Sequence, residues 1–412
     1  MSKLSYILVT LAYWFFMLTD GALRMLVLLH FHELGYNPVQ LAFLFLLYEV
    51  AGIVTNLTGG WIGSRYGLKI TLFSGLALQI VALLGLTLVS PDWSATLSVG
   101  FVMLVQAMSG VAKDLTKMSS KSSVKLLVKE SEDQSHQAAL FKWVAALTGS
   151  KNAIKGVGFF VGGLLLSTLG FNNALYAMAG LIAVILILSL LSIRGNFGQS
   201  KSKSKFTSVF SKSRAINLLS FARAFLFASR DVWFVVGLPI FLHDVLDWSF
   251  TQVGTLMASW VIGYGFIQAI APKIVKIKKG APDALERAVH AARGWSFPLA
   301  GLCILMALSL AFNFYPTYIL VGGLFVFGFI FAVNSSVHSY LILAYTDSDS
   351  VSLNVGFYYM ANACGRLMGT LLSGTAYLLG GLQACLYTSA GVVLIAALTA
   401  LKFPEKVYDY LD

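Results

Sequence analysis

Charged residues are scarce in this sequence. Asp, Glu, Lys and Arg make up 11% of its 412 residues, whereas about 25% is typical of a soluble domain. Hydrophobic residues make up 58%, and they stand in long blocks rather than in short alternating runs. A helix that crosses a bilayer needs about 20 predominantly apolar residues, and the sequence supplies such blocks from end to end. These features exclude a soluble globular protein and predict a polytopic integral membrane protein.

Cysteines and cofactor motifs are also scarce. The three cysteines, Cys303, Cys364 and Cys385, fall within apolar blocks and lack paired ligand spacing, which argues against a disulfide framework or a zinc site. A glycine-rich run over 149–163 superficially resembles a dinucleotide loop. It lies in an apolar span with no strand before it, so close helix packing is the better interpretation. No nucleophile–base–orienter set or nucleotide-binding loop is present, and we therefore expect neither an enzyme nor a bound cofactor or metal.

The apolar blocks, bounded by turn residues, predict an all-α fold of twelve membrane-spanning helices. The first block carries Asp20 and Arg24 and is too long for the apolar region of a secretory signal, so we interpret it as a retained helix. Pro239 and Pro272 fall inside predicted spans and are expected to bend them. The predicted spans are 6–29, 39–62, 69–90, 95–117, 139–169, 173–193, 214–243, 250–273, 295–313, 316–344, 353–379 and 382–403.

The distribution of Lys and Arg predicts the orientation in the membrane. A net charge of +11 can indicate nucleic-acid binding, but basic cytoplasmic loops are the commoner cause in a membrane protein, so no nucleic-acid partner is expected. Basic residues cluster after the second, fourth, sixth and eighth spans and are missing after the odd-numbered ones. The positive-inside rule therefore places both termini in the cytoplasm. We expect a multi-pass protein of the cell (inner) membrane, in contact with lipid.

A polar, basic stretch divides the twelve spans into two sets of six. Residues 195–213 form this predicted cytoplasmic linker, between an N-terminal six-helix bundle (1–194) and a C-terminal six-helix bundle (214–412). The segment GWIGSRYGLK (60–69) resembles the loop motif G-x-L-A-D-R-x-G-R-K of the major facilitator superfamily, with Ser64 in place of the Asp. The 6+6 division is similar to that superfamily as well. The resemblance implies alternating access around a substrate site near the bilayer midplane.

Ionisable residues inside the predicted spans carry the functional signal, because each is costly in a membrane unless it is paired or hydrated. Residues four apart share a helix face. This spacing allows Asp20 and Arg24 to form an ion pair. The candidate proton-coupling residues are Asp20, Glu49 and Asp231. The candidate substrate-binding residues are Arg24, Lys151, Lys155, Arg223, Arg230, Arg366 and Asn362.

Cations outnumber acids among these buried residues. With Lys113 and Asp114 of the fourth span included, seven cations face four acids, a surplus of three. Purely structural pairing would give near balance, so the surplus predicts an anionic ligand or water. Arginine forks and lysine ammonium groups suit phosphate and carboxylate oxygens, and we predict a small substrate with two or three negative charges.

Structural alternatives stay open at each position. Asp20 and Arg24 can be a purely local pair. Lys113 and Asp114 can lie at the membrane interface and extend towards water. The arginines of the seventh span can bond helix carbonyls or Asp231.

Four long strings resemble the ArsJ organoarsenical efflux permeases of the same superfamily. They are LTDGALRMLVLLHFHELGY (18–36), SGVAKDLTKMSSKSSVKLLV (109–128), LTGSKNAIKGVGFFVGG (147–163) and KSRAINLLSFARAFLFASRDVWFVVGLP (212–239). The segment WVIGYGFIQAIAP (260–272) is similar too. The resemblance implies efflux of 1-arseno-3-phosphoglycerate, which glyceraldehyde-3-phosphate dehydrogenase makes from arsenate, and hence arsenate resistance. Pentavalent arsenic bound to oxygen does not require thiols, whereas trivalent arsenite favours them.

Two other functions remain open at this point. A general organophosphate or organic-anion transporter or exchanger of the same fold fits the buried cations equally well. A membrane-embedded enzyme or sensor is the alternative from another class. Since no nucleotide-binding loop is present, we expect export to be coupled to protons. Such a secondary exporter would be an antiporter.

Overall fold

The computed structural model describes residues 3–127, 134–193, 213–275, 283–346 and 351–405. The regular structure among these residues is entirely helical. The helices are α1 (Lys3–Glu33), α2 (Pro38–Leu44), α3 (Leu46–Leu86), α4 (Ala95–Leu127), α5 (Gln134–Ser192), α6 (Arg214–Phe234), α7 (Gly237–Asp244), α8 (Phe250–Ile274), α9 (Ala284–Ala311), α10 (Pro316–Ala344) and α11 (Val351–Ala400).

Ten segments of the described helices are long and apolar enough to cross a membrane. Two of them, Ser150–Ser192 and Asn354–Ala400, contain 43 and 47 residues, about twice the length that a bilayer requires. Helical geometry breaks inside α5 at Gly170 and inside α11 at Gly380 and Gly381. Each of these two helices is thus long enough to cross a bilayer once on either side of its glycine break, and the predicted all-α, multi-span fold is confirmed.

Glycine is required where both double-length helices turn. Gly170 has φ of 73° and Gly381 has φ of 61°. Residues with a Cβ rarely adopt this left-handed region, whereas glycine enters it without steric cost. The two turns coincide with connections that the apolar pattern predicts.

Three local features differ from the sequence-based expectation. The seventh predicted span is interrupted between α6 and α7, and Pro239 provides the reason, because its ring would clash with the carbonyl of Val235 in a continuous helix. The expected loop at 63–68 is helical and belongs to α3, which has glycines there but no proline. The ninth predicted span begins at 295, whereas α9 begins at Ala284. Its polar first turns are supported by Arg287, whose Nε lies 2.5 Å from Asp283 Oδ2.

The exposed side chains in the spans are largely apolar. Leu104, Leu191, Phe266 and Leu305 are each more than 60% exposed. Fully buried positions, by contrast, include many polar residues. This distribution reverses that of soluble proteins and suits helices whose outer faces contact lipid.

The Cα positions divide the chain into two compact units. Unit 1 comprises Met1–Phe31, Val54–Phe206 and Phe250–Ile262. Unit 2 comprises His32–Ile53, Thr207–Ser249 and Gly263–Asp412. The predicted linker, 195–213, lies outside the described residues apart from Ser213, which caps α6. The bundle boundaries expected from the sequence therefore stay a prediction.

Candidate functional site

Within unit 1, α1 and α5 approach closely along a row of small residues. A Cβ on Gly21 would collide with the carbonyl oxygen of Lys155, and one on Gly158 would collide with that of Leu18. A Cβ on Gly162 would collide with the backbone of Ala22. Small residues let two helix backbones pack at short distance in a membrane, so polar side chains beside this row can reach across it.

Asp20 of α1 and Lys155 of α5 form an ion pair across this contact. Lys155 Nζ lies 2.6 Å from Asp20 Oδ2, and the side chains are 18% and 3% exposed. Both residues are predicted to be functional, but the spacing within the first span suggests only Arg24 as a partner for Asp20. The pairing with Lys155, 135 positions away, is a new finding. It gives Lys155 a counter-ion that its own span lacks.

Two further predicted cations lie on the same helices. Arg24 is one turn after Asp20 on α1, and Lys151 is one turn before Lys155 on α5; both are half-buried. Trp14 Nε1 donates to Ser150 Oγ at 3.0 Å, and this contact precedes the Asp20–Lys155 pair on both helices, so α1 and α5 run parallel. Lys151 and Arg24 therefore lie on opposite sides of the Asp20–Lys155 pair along the two helices. These four charged residues are three cations and one acid.

Within unit 2, two acids and two arginines form a linked network. Arg366 Nη2 of α11 lies 2.6 Å from Glu49 Oε1 of α3, and Arg366 Nε lies 3.6 Å from Asp231 Oδ2 of α6. Arg230 Nε donates to Asp231 Oδ1 at 2.6 Å. Glu49 and Asp231 are each 1% exposed. The network is balanced in charge, so its four members can be accommodated without an external ion.

The network depends on a close approach of α6 and α11. A Cβ on Gly365 would collide with the carbonyl oxygen of Ala224, and a Cβ on Gly369 would come within 2.7 Å of the Asp231 Cβ. These glycines lie next to Arg366 in the helical pattern, which explains how its guanidinium reaches Asp231.

Arg223 is a buried cation whose hydrogen-bond partners among the described residues are all uncharged. Its Nε donates to Asn362 Oδ1 at 3.0 Å, and its Nη1 donates to the backbone oxygen and Oγ of Ser335 at 2.8 and 3.0 Å. The guanidinium carbon lies 3.9 Å from the Phe227 ring centroid and 5.0 Å from that of Tyr358. Arg223 is 4% exposed. Among the described residues, no carboxylate forms an ion pair with it.

Neutral polar residues of α8 extend the surroundings of Arg223. Gln268 Nε2 donates to Ser335 Oγ at 3.2 Å and to Tyr264 Oη at 2.5 Å. Tyr264 Oη also lies 3.3 Å from Ser335 Oγ. We refer to Arg223, Asn362, Ser335, Gln268 and Tyr264 as the Arg223 cluster. Its first two members are predicted from the sequence. The other three are not, because single Ser, Gln or Tyr residues give no distinct signal in an apolar span.

Lys113 and Asp114 of α4 are both buried within the protein. Asp114 is fully buried, and its carboxylate accepts hydrogen bonds from the Thr55 hydroxyl and from Lys117 Nζ, the latter at 2.8 Å. Lys113 is 9% exposed. Its burial disfavours the alternative in which Asp114 extends towards water, and its hydrogen bonds to Thr55 of α3 and Lys117 of α4 indicate a structural role.

Metal ligation has no support in the part of the chain that the structure describes. No group of three or more His, Cys, Asp or Glu side chains is placed to hold a metal ion there. Cys303, Cys364 and Cys385 are free thiols.

Comparisons with known proteins agree with this architecture. The family model described as "Major Facilitator Superfamily" matches residues 9–285, which is more than half of the chain. No curated protein matches the sequence significantly.

Solved structures resemble the whole chain. A mutant form of the nucleoside transporter NupG has a TM-score of 0.72 and 15% identity, covering 97% of this chain and 100% of its own. A bacterial homologue of the iron transporter ferroportin, in an inward-facing state, has a TM-score of 0.70 and 15% identity, covering 98% of this chain and 99% of its own. A POT family transporter in complex with 5-aminolevulinic acid has a TM-score of 0.72 and 14% identity, covering 98% and 96%. At these identities the similarity shows the fold alone.

Proposed function

The chain belongs to the major facilitator superfamily, and from this premise we propose that it is a secondary active exporter of a small phosphorylated organoarsenical anion. The substrate would be 1-arseno-3-phosphoglycerate, and its export would confer arsenate resistance. Membership of the superfamily makes the chain a membrane transporter rather than an enzyme. The nature of the substrate rests on the charged residues inside the spans and on the resemblance of four sequence segments to organoarsenical permeases.

The observation that carries the proposal is Arg223, a cation buried in unit 2 without a carboxylate partner among the described residues. In unit 1, Arg24 and Lys151 each lie one helical turn from the Asp20–Lys155 pair. In unit 2, the acid–arginine network is balanced, and Arg223 adds a further cation whose recorded partners are neutral. An excess of buried charge of one sign is costly in a membrane. A substrate with several negative charges would balance this excess when it binds.

The chemistry of the proposed substrate matches these donors. An arsenate ester and a phosphate ester on one three-carbon chain present two sets of tetrahedral oxygens. Arginine contributes planar pairs of N–H donors and lysine contributes point charges, and both suit such oxygens. Export, as opposed to uptake, is implied by the resemblance to the permeases and by the usefulness of releasing a labile arsenate ester outside the cell.

Coupling to protons would use a buried carboxylate that exchanges partners. Asp20, Glu49 and Asp231 are the candidates, and each forms an ion pair. Protonation of any of them would neutralise the acid and release a cation from its pair. Electrical driving force is also available, since moving one elementary charge across 100 mV is worth about 2.3 kcal/mol. A multiply charged anion would therefore leave a negative-inside cell readily, even with a small pH gradient.

Arsenate resistance in cells tests the proposal. The gene is expressed in an arsenic-sensitive strain, with and without glyceraldehyde-3-phosphate dehydrogenase. We expect resistance only when both proteins are present, because the dehydrogenase makes the substrate. Resistance that does not depend on the dehydrogenase would contradict the proposed substrate.

Transport in vesicles tests the substrate and the driving force separately. Inverted vesicles are supplied with arsenate, glyceraldehyde-3-phosphate, NAD and the dehydrogenase, and accumulation of arsenic is measured. A protonophore collapses the pH gradient, while valinomycin with K⁺ sets the potential independently. Loss of uptake on collapse of the pH gradient at a fixed potential would support proton antiport.

A general transporter or exchanger of organophosphates or organic anions is the second candidate. The buried cations favour it as much as they favour the arsenical exporter. Exchange would appear as uptake of labelled 3-phosphoglycerate that requires unlabelled organophosphate inside the vesicles. Such a result, without transport of the arsenical, would replace the first proposal with the second.

A further inference from the structure

We propose that the Arg223 cluster of unit 2 binds a tetrahedral oxyanion of the substrate, and that Gln268 and Tyr264 determine its specificity. The inference rests on the proposed function, since it assigns the anion to one set of residues. It also separates Arg223 from Arg230 and Arg366, the other predicted substrate-binding arginines of unit 2, which lie against carboxylates.

Arg223 differs from Arg230 and Arg366, the other two arginines of the unit 2 site, in the groups that surround it. Arg366 lies against Glu49 and Asp231, and Arg230 lies against Asp231. An anion at either arginine must compete with a carboxylate that is already in place. Arg223 presents no such competition among the described residues, because its hydrogen-bond partners are an amide oxygen, a hydroxyl and a carbonyl.

The Arg223 guanidinium has N–H donors beyond those in its hydrogen bonds to Asn362 and Ser335. Its Nε and Nη1 account for its recorded hydrogen bonds, and its Nη2 makes none to another described residue. A guanidinium has five N–H donors in a fixed fork. Phe227 and Tyr358 lie against it. The Nη2 edge is therefore held in a defined orientation by packing and by hydrogen bonds at the other two nitrogens.

Several polar groups converge on one oxygen, the hydroxyl oxygen of Ser335. Arg223 Nη1 and Gln268 Nε2 both donate to Ser335 Oγ, and Tyr264 Oη lies 3.3 Å from the same atom. A hydroxyl oxygen accepts two hydrogen bonds at most. Arg223 Nη1 and Gln268 Nε2 already fill both acceptor positions of Ser335 Oγ. Any further hydrogen bond from this group of donors, such as one from Arg223 Nη2, would therefore go to the oxygens of a bound ligand. Phosphate-ester oxygens offer more lone pairs than Ser335 does.

A buried histidine beside the cluster points the same way. His338 follows Ser335 by one turn of α10 and is 1% exposed. Neither of its ring nitrogens has a hydrogen-bond partner among the described residues. Buried polar nitrogens nearly always have a partner in native proteins. The polar interior next to Ser335 thus has unused hydrogen-bonding capacity, which a bound ligand would engage.

A structural role for Arg223 makes a different prediction from an anion-binding role. The substitution Gln268→Glu places a carboxylate at the hydroxyl that Arg223 contacts and so supplies a counter-ion. If Arg223 is only structural, this variant folds well and binds anions normally. If Arg223 binds the substrate oxyanion, the new carboxylate repels it and occupies the guanidinium.

Anion-induced thermal stabilisation of the purified full-length protein measures the effect. The probes are 3-phosphoglycerate, inorganic phosphate and citrate. We expect 3-phosphoglycerate to raise the melting temperature of the unmodified protein and Gln268→Glu to weaken its apparent affinity by at least about tenfold, the scale of one charge-assisted hydrogen bond. Gln252→Glu makes the same change at an exposed position of α8 and should bind as the unmodified protein does.

Two further variants ensure a result if Gln268→Glu does not fold. Gln268→Leu removes the amide donor without adding charge, and Arg223→Lys keeps the charge but removes the planar fork. Both should weaken binding of 3-phosphoglycerate relative to Gln252→Glu. Unchanged affinity in Gln268→Glu, or in both of these variants, would overturn the assignment.

The choice of probes separates this inference from the proposed function. Stabilisation by citrate but not by phosphorylated probes, lost in Gln268→Glu, would uphold the oxyanion site and refute the organophosphate substrate. Stabilisation by none of the three anions would overturn the site, while the vesicle assay would still decide the proposed function.

Discussion

The Asp20–Lys155 pair allows a sharp test of whether a buried cation serves structure or transport. Lys155→Met removes the ammonium group and keeps a side chain of similar length, which leaves Asp20 without its 2.6 Å partner. Breaking a buried pair by removing one member costs about 3–5 kcal/mol. The Lys155 side chain is 18% exposed, so water screens part of the interaction and we expect about 3 kcal/mol, the lower end of that range.

The double variant Asp20→Asn, Lys155→Met completes the cycle. Both charges are then absent, and the remaining groups are close to isosteric with the originals. Replacing a buried ion pair by neutral groups is often close to neutral for stability, so the double variant should recover most of the loss. The coupling free energy between the two positions should be about 2–3 kcal/mol. Apparent melting temperature and detergent-solubilised yield provide the measurement, with Gly180→Ala, a change in open space on α5, as the control.

Transport by the double variant separates the two roles. If the pair serves transport, through Lys155 as a positive charge for the substrate or through Asp20 as a proton carrier, the double variant is stable yet confers no arsenate resistance. If the pair is only structural, resistance returns together with stability. A double variant as unstable as Lys155→Met, with a coupling free energy near zero, would refute the physical reasoning about the pair itself.

Three further predictions concern packing and ion pairing. Gly158→Ala should separate α1 from α5 and so lower stability and abolish resistance, because its Cβ would collide with the carbonyl oxygen of Leu18. The matched change Gly180→Ala should be tolerated, and equal behaviour of the two variants would contradict close packing of α1 and α5. Glu49→Arg and Arg366→Glu should each abolish folding or transport, because each breaks the 2.6 Å contact between these residues. The double exchange should restore insertion into the membrane, measured by the fluorescence of a fused reporter. No recovery in the double exchange would show that the contact is incidental. Asp114→Asn should lower the melting temperature by weakening its two hydrogen bonds, yet leave the affinity for 3-phosphoglycerate unchanged.

The spans are predictable from the sequence because a bilayer constrains helix length and composition so strongly. The turns at Gly170 and Gly381 coincide with predicted connections, since turn residues interrupt otherwise continuous apolar runs there. The break before Pro239 follows from local chemistry that the sequence displays, although only a bend is expected from it. The start of α9 is missed because its first turns are polar, and hydropathy alone does not distinguish a polar helical turn from a loop.

The partners of the buried charges are not predictable in the same way. Glu49 and Arg366 are 317 positions apart, and nothing local to either residue indicates the other. Within-helix spacing identifies only neighbours such as Asp20 and Arg24. The contact between Arg223 and Ser335 cannot be predicted from the sequence either, because Ser335 is one of many serines in the apolar spans. Charge and depth thus reveal which residues require partners, whereas packing of distant helices decides which partners they obtain.

The two sets of arginines in unit 2 suggest how anion binding and proton binding can influence each other. Arg366 contacts Glu49 and lies 3.6 Å from Asp231, which also binds Arg230. A proton on Glu49 would weaken the first contact, and Arg366 would then turn fully to Asp231 and displace Arg230. A net positive charge would appear in a balanced network, and Arg230 lies on the same helix as Arg223. Since that charge attracts an anion, a proton that binds before the substrate strengthens its binding, whereas antiport requires the proton to replace the substrate. Proton antiport through Glu49 therefore requires that the released arginine move away from the anion. The variant Glu49→Gln mimics the protonated acid and tests this requirement. Higher affinity of the variant for 3-phosphoglycerate argues against antiport at Glu49, and lower affinity argues for it.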